Sequence, residues 1–358
     1  MLKARAAVHS LKSYHPPLGN RDGLRLDFNE NTVGCSPRVL ARLRSLDAEL
    51  LARYPEREPG ELAVAAHLGI EPAEVLLTNG TDEAIHLICE TYLEPGDEAL
   101  IGVPTFAMYE IYAAATGAKV IPVLGGADFH FPVEELLGQL NERTRLIAVA
   151  NPNNPTGTQA SQADLLRLAK AAPQAALLVD EAYFEFSGET LMKQWRGVPN
   201  LFVSRTFSKA YGLAGLRIGV LGGNIEQMKM VRRVSSPYNL NSVALACLPD
   251  ALADQRYIRD YAADVLHGRT RLERELRERG IKFWPSRANF VLMYFGSSAP
   301  AFIAAMRERG ILVRDRSKDP GCDGCVRITL GSAKDNDRLF AVLPEVLQEA
   351  GVSSKVTR

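Results

Sequence analysis

The chain reads as an α/β protein: a large domain built on a mostly parallel seven-stranded sheet, followed by a smaller α+β C-terminal domain. Three observations predict this. Between about residues 60 and 240, short runs recur that are apolar almost throughout, the pattern of strands buried on both faces. Helical patterns lie between many of them, and strands alternating with helices build a parallel sheet covered on both sides. Near residue 240 the texture changes to long charged helix and then to two further strands.

In chain order, the first 30 residues hold Pro16-Pro17 and Gly19-Asn20 and read as an extended arm. The seven runs are 75–78, 99–103, 120–123, 146–150, 176–179, 201–204 and 218–221. Residues 82–92 and 162–169 have helical spacing. Residues 251–279 are long, charged and helical, and the run 269–279 is a solvated helix face. Strands at 289–294 and 325–330 flank a helix at 299–309. The expected division is an arm over 1–30, a large domain over 31–245 and a small domain over 246–358.

Composition narrows the function. The 358 residues are 46% apolar and 23% charged, ordinary for a globular enzyme. Lys plus Arg equals Asp plus Glu, 42 of each, which argues against nucleic acid or a membrane surface as the main partner. No run of 18 apolar residues predicts a membrane span, and the basic start lacks the apolar core of a signal peptide. Five cysteines, an odd number, do not form a disulfide framework, so the expected setting is cytoplasmic. Cys322 and Cys325 have the spacing of half a zinc site, but no second ligand pair is evident; they read as incidental thiols in a loop, with no metal expected.

In open α/β sheets ligands bind beyond the carboxyl ends of the strands. After 75–78 comes Asn79-Gly80-Thr81-Asp82-Glu83, opening a helix whose free N–H groups suit an anion; an N-cap by Thr81 or Asp82 explains it equally well. After 99–103 comes Pro104-Thr105-Phe106-Ala107-Met108-Tyr109, where an aromatic could stack on a flat heterocycle or simply pack in the core. After 146–150, Asn151-Pro152-Asn153-Asn154-Pro155-Thr156-Gly157 is a rigid loop presenting the Asn154 amide. After 176–179 comes Asp180-Glu181-Ala182-Tyr183. Asp180 ends an apolar strand and needs a cation, which a protonated pyridine nitrogen or a neighbouring arginine could supply. After 201–204 come Thr206, Ser208 and Lys209, with Arg217 eight positions on. A lysine amine condenses with an aldehyde to a Schiff base, and hydroxyls with an arginine suit a phosphate. Alone, Lys209 could be a surface lysine after a strand. Together the strand ends make an inventory for pyridoxal 5'-phosphate (PLP).

On these residues the chain resembles the fold-type I PLP-dependent aminotransferases, and among them the histidinol-phosphate aminotransferases. The matching segments also include Asp27-Phe28-Asn29-Glu30-Asn31, Tyr54-Pro55, Ser236-Pro237-Tyr238-Asn239-Leu240-Asn241 and Val326-Arg327-Ile328-Thr329-Leu330-Gly331. The resemblance implies a PLP cofactor, a small-molecule amino donor with 2-oxoglutarate as acceptor, and a homodimer with shared sites to which the arm contributes. It implies that Lys209 forms the Schiff base and shuttles the proton. Asp180 would pair with the pyridine nitrogen, and Asn154 and Tyr183 with the ring hydroxyl, while Tyr109 would stack. Gly80, Thr81, Thr206, Ser208 and Arg217 would hold the phosphate, with Asp82 beside them, and Tyr54 would reach the neighbouring subunit's phosphate. Tyr14, Asn31, Asn154, Arg314 and Arg327 would bind substrate.

Two segments depart from the family pattern: Asn31 is followed by Thr32 where proline is usual, and Gly34 by Cys35. Both flank the substrate entrance. An aromatic-amino-acid aminotransferase and a threonine-phosphate decarboxylase share most of these motifs. A PLP-sensing regulator would need a DNA-binding segment that the sequence does not show, and no Gly-x-Gly-x-x-Gly supports a nicotinamide enzyme.

Overall fold

The protein is described by a computed structural model covering residues 2–11, 13–15, 19 and 21–352. Pro16, Pro17 and Asn20, which argue for an extended arm, lie outside the described residues. The arm is not extended throughout: Ala6–His9 forms one helical turn, as an Ala-Ala pair favours. Further on, β1 (Leu24–Arg25) pairs in parallel with residues 311–312, far along the chain.

Seven strands form the large sheet: β2 (Val75–Thr78), β3 (Glu98–Val103), β4 (Lys119–Leu124), β5 (Thr144–Ala150), β6 (Ala176–Asp180), β7 (Leu201–Thr206) and β8 (Gly219–Gly223). Their order is β2-β8-β7-β6-β5-β3-β4. Only β8 runs against the rest. The carboxyl ends of β2, β3, β5, β6 and β7 therefore open on one side. The central strands β6 and β7 are buried at every position, which is why they carry apolar runs without alternation. Pro122 lies in β4, at the sheet edge, where the missing N–H costs no ladder bond. β8 is glycine-rich for packing: a Cβ on Gly222 would stand 2.8 Å from the Trp195 ring, and one on Gly219 would stand 2.8 Å from the Gly80 carbonyl carbon.

The second sheet has four strands: β9 (Phe283–Trp284), β10 (Phe290–Tyr294), β12 (Arg314–Asp315) and β13 (Cys325–Thr329), in the antiparallel order β12-β13-β10-β9. Between β10 and β12, β11 (Ile311–Leu312) is the strand that holds β1. The helix Gln255–Glu278 precedes this sheet. It buries Ile258, Tyr261, Ala262, Val265, Leu272 and Leu276 on one stripe and turns its charges outward. The small sheet lies against the site side of the large one through two side chains of β13: Arg327 reaches the loop after β5, and Thr329 reaches Asn29.

Candidate active site

The strands β2, β3, β5, β6 and β7 of the large sheet lead to one cavity of about 210 Å³. β2 delivers Thr81 and Asp82 on the first turn of the helix Gly80–Tyr92, β5 delivers Asn154, β6 delivers Asp180 and Tyr183, and β7 delivers Thr206, Ser208 and Lys209. Arg217 enters from just before β8, and Phe28 and Glu30 from the segment after β1.

Asp180 is buried at the end of β6, 4% exposed. Its Oδ1 accepts from the Ser204 hydroxyl (2.9 Å) and its Oδ2 from the Tyr109 hydroxyl (2.8 Å). Burial pushes its pKa up to about 6 against the pull of these bonds. The arginine pair that could have explained a carboxylate here belongs to the next residue. Glu181, on the opposite face of the strand, accepts from Arg205 Nε at 3.0 Å. Asp180 therefore has two neutral donors and faces the cavity, as a partner for a cation brought by a ligand would.

Lys209 Nζ donates to the Phe28 carbonyl at 3.2 Å. Burial, and then the positive charge of Arg327, lower its pKa to about 8, so a free amine is accessible near neutrality. Beside it the Ser208 hydroxyl is buried without a partner, although buried hydroxyls rarely go unpaired. Arg217 sits in the left-handed region (φ 54°) and places Nη2 3.0 Å from Asp82 Oδ2. Gly80 (φ 73°) makes that approach possible: a Cβ there would lie 2.5 Å from Arg217 Nη2. A guanidinium, an orphan hydroxyl and the start of a helix meet at one end of the cavity, which is the donor set of a phosphate. Asp180 lines the same cavity. These residues fit PLP.

The Tyr183 hydroxyl accepts from Asn29 Nδ2 at 2.9 Å. Asn154 turns its Oδ1 to Arg327 Nη1, leaving its amide N–H₂ for a ligand. Arg327, 4% exposed, also donates through Nη2 to the Asp27 carbonyl at 2.7 Å, and its Nε is buried without a partner. Burial and the nearby Arg316 and Arg314 hold its pKa low, the sign of a buried cation awaiting an anion. Arg314 stands opposite Arg327 across β12 and β13, with Nη1 buried and unpaired and its guanidinium 5.1 Å from the Phe28 ring centre.

Tyr109 and Phe106 both line the cavity. Tyr109 is 0% exposed and joins the apolar cluster beneath, with its hydroxyl donating to Asp180. Phe106 is half-buried and stands edge-on to it (5.9 Å, 88°).

Six expected residues are not part of the cavity lining: Gly80, Arg314 and Arg327, described above, and Asn31, Tyr14 and Tyr54. Asn31 donates to the Ala210 carbonyl (2.9 Å) and accepts from Val33 and Gly34 N–H, so it shapes the neighbouring loop. Tyr14 is 45% exposed. Tyr54 is 79% exposed, with its ring against Tyr238 (4.6 Å between centres). Sequence reasoning missed Phe28, Phe106, Asn29 and Ser204. Asn29 (φ 57°) braces Tyr183 and accepts from Thr329 Oγ1 at 3.0 Å; its one signal was its place in the segment 27–31.

The family described as aminotransferase class I and II matches residues 21–343. A histidinol-phosphate aminotransferase of Geobacillus sp. (strain WCH70) is 35% identical over 350 residues, covering 95% of this chain and 94% of the relative. The crystal structure of histidinol-phosphate aminotransferase from Sinorhizobium meliloti in complex with pyridoxal-5'-phosphate superposes with a TM-score of 0.86 at 27% identity, covering 97% and 98% of the two chains. That of L-threonine-O-3-phosphate decarboxylase from Porphyromonas gingivalis gives 0.77 at 26% identity, covering 91% and 99%.

Proposed function

The chain belongs to the aminotransferase class I and II family, and from that premise we propose that it is a PLP-dependent transaminase. Its proposed reaction moves the amino group of L-histidinol phosphate to 2-oxoglutarate, giving imidazole-acetol phosphate and L-glutamate in histidine biosynthesis. The observation that carries the reading is the single cavity faced by the Lys209 amine, the Asp180 carboxylate and the Gly80–Arg217 cradle.

When bound, PLP supplies an aldehyde that takes up the amino group and a ring that withdraws electrons from the donor's α-carbon. Thr81, Thr206, Ser208 and Arg217 would hold its phosphate, with Gly80 giving the backbone access and Asp82 fixing the Arg217 fork. Asp180 would keep a proton on the ring nitrogen. Asn154 Nδ2 and the Tyr183 hydroxyl would hold the ring hydroxyl, and the Tyr109 and Phe106 rings line the cavity where the flat ring would lie. Lys209 Nζ removes the proton from the donor's α-carbon, a task for an amine whose pKa lies near the working pH. Arg327 and Arg314 grip the anionic end of the donor, because a guanidinium offers two parallel hydrogen bonds to phosphate or carboxylate. Arg327 serves the acceptor's carboxylate in turn.

The reading includes a homodimer in which Tyr54 reaches the partner's phosphate site. The exposed Tyr54 and Tyr238 rings, with Val33 (59%) and Leu51 (66%) also exposed, support such a face. It includes the division into an arm over 1–30, a large domain over 31–245 and a small domain over 246–358, supported by two sheets confined to 75–223 and 283–329. It includes a cytoplasmic setting. No described helix is long and apolar enough to cross a membrane.

A second reading, decarboxylation of a phosphorylated amino acid, is favoured by the likeness to the decarboxylase and by arginines that would serve either donor. The test is a panel of histidinol phosphate, phenylalanine and threonine phosphate, scored for glutamate from 2-oxoglutarate and for CO₂. Glutamate from histidinol phosphate alone, lost in Lys209→Ala, is expected. Release of CO₂ from threonine phosphate without glutamate would overturn the assignment.

A further inference from the structure

Cys322 and Cys325 remain unused by the reaction. Both are free thiols, 0% and 1% exposed. Cys322-Asp323-Gly324-Cys325 is a tight turn closed by the bond from Cys325 N to Cys322 O, 2.8 Å. Gly324 takes a left-handed φ of 69° at its third position, and a Cβ there would stand 2.4 Å from the Gly296 Cα. Such a turn holds its first and last Cα atoms within about 7 Å, the range a disulfide spans. The two side chains share one apolar cluster with Phe129, Trp284 and Leu292, and the Cys325 thiol points to the Asp323 carbonyl at 4.0 Å. The neighbouring Cys322 thiol lowers the Cys325 pKa, which makes Cys325 the readier nucleophile of the two. Among the described residues no group of three or more His, Cys, Asp or Glu could hold a metal.

The turn is wired to the anion-binding arginines. Arg316 N donates to the Cys325 carbonyl (2.9 Å), and Cys322 N donates to the Asp319 carbonyl (3.0 Å). Arg316 and Asp319 form an ion pair, and Arg316 acts electrostatically on both Arg314 and Arg327. Cys325 lies two residues before Arg327 on β13.

We propose that Cys322 and Cys325 form a reversible dithiol–disulfide modification site, oxidised by a hydroperoxide, whose closure weakens the grip on the anionic donor. With hydrogen peroxide, the Cys325 thiolate attacks one oxygen, forming an S–O bond and breaking O–O, and the departing hydroxide takes up the proton that the Cys325 thiol gave up and leaves as water. The Cys322 sulfur then attacks the Cys325 sulfur, forming S–S and breaking S–O, and the departing hydroxide takes the Cys322 proton as a second water. Two electrons pass from the thiols to the peroxide, and a dithiol reductant reverses the change. Closure draws the ends of the turn together and pulls the Arg316–Asp319 pair from its place beside Arg314 and Arg327. This consequence rests on the proposed substrate reading; the thiol chemistry does not.

The experiment treats the PLP-loaded protein with hydrogen peroxide, counts thiols after denaturation and maps peptides by mass spectrometry. Loss of two of the five thiols, with two hydrogens missing from the peptide containing 322–325, is expected. So is a severalfold rise in KM for histidinol phosphate with little change in kcat, reversed by dithiothreitol. Cys322→Ser and Cys322→Ala should keep the reduced KM and lose its response to peroxide. Five intact thiols, or oxidation confined to Cys35 or to sulfinic acids, would overturn the site. A disulfide with unchanged KM would overturn the link to the arginines. If the reduced protein does not use histidinol phosphate at all, the substrate reading fails while the thiol count still decides the site.

Discussion

Replacing Asp180 by asparagine should stabilise the ligand-free protein while disabling it. Burial moves the carboxyl from an ordinary 3.8 to about 6. Each unit is worth about 1.4 kcal/mol, so keeping this group ionised at neutral pH costs the fold about 3 kcal/mol. Asparagine removes the charge. It must present one N–H₂ where the Ser204 or Tyr109 hydroxyl now donates; either hydroxyl can rotate to accept, and the mismatch returns about 1 kcal/mol. A net gain of about 2 kcal/mol follows at neutral pH. The sign with pH is fixed by a folded pKa above the unfolded one. The cost is absent below about pH 4, grows between about 4 and 6, and is complete above that. The gap between variant and wild type should therefore widen as pH rises through this window. Adding PLP should close or reverse it, because the wild-type carboxylate then gains its cation. Urea unfolding at about pH 4.5 and 7.5, with and without PLP, measures all of this. A ligand-free Asp180→Asn protein less stable than wild type at about pH 7.5, or a gap indifferent to pH, would refute the reasoning.

Two further predictions follow from the same geometry. The rate of PLP uptake should rise with pH through about 8, where Lys209 loses its proton, and Arg327→Gln should move that midpoint upward by removing a neighbouring positive charge; a downward move in stopped-flow absorbance would contradict the electrostatic link. If Tyr54 serves the partner's site, Lys209→Ala and Tyr54→Ala proteins, each weak alone, should regain turnover when mixed and allowed to exchange subunits. Each hybrid would then hold one intact site, and an inactive mixture shown by native mass spectrometry to contain hybrids would rule out sharing.

Much of the sheet was legible because strands buried on both faces must be apolar at every position, as β6 and β7 are. The site was legible where function sits at a strand end and the residue type is chemically committed, as with Lys209, Asp180 and Arg217. It was obscure where position depends on how a loop turns. Phe106 and Tyr109 differ by three residues and both line the cavity, and only the fold shows that Tyr109 spends its hydroxyl on Asp180. Asn29 was obscure for another reason. Its partners are 154 and 300 residues away, at Tyr183 and Thr329, and no local pattern encodes a contact of that range.

Asp180 and Glu181 are adjacent carboxylates sent to opposite sides of one strand, the first to a ligand and the second to Arg205. The sheet thus works as a ruler with single-residue gradations. A deletion of one residue in β6 would leave its composition nearly unchanged, yet it would swing the arginine-bound acid into the cavity and bury the other against an unneutralised neighbour. Evolution can therefore lengthen the loops of this chain far more freely than it can shift that one strand by a single step.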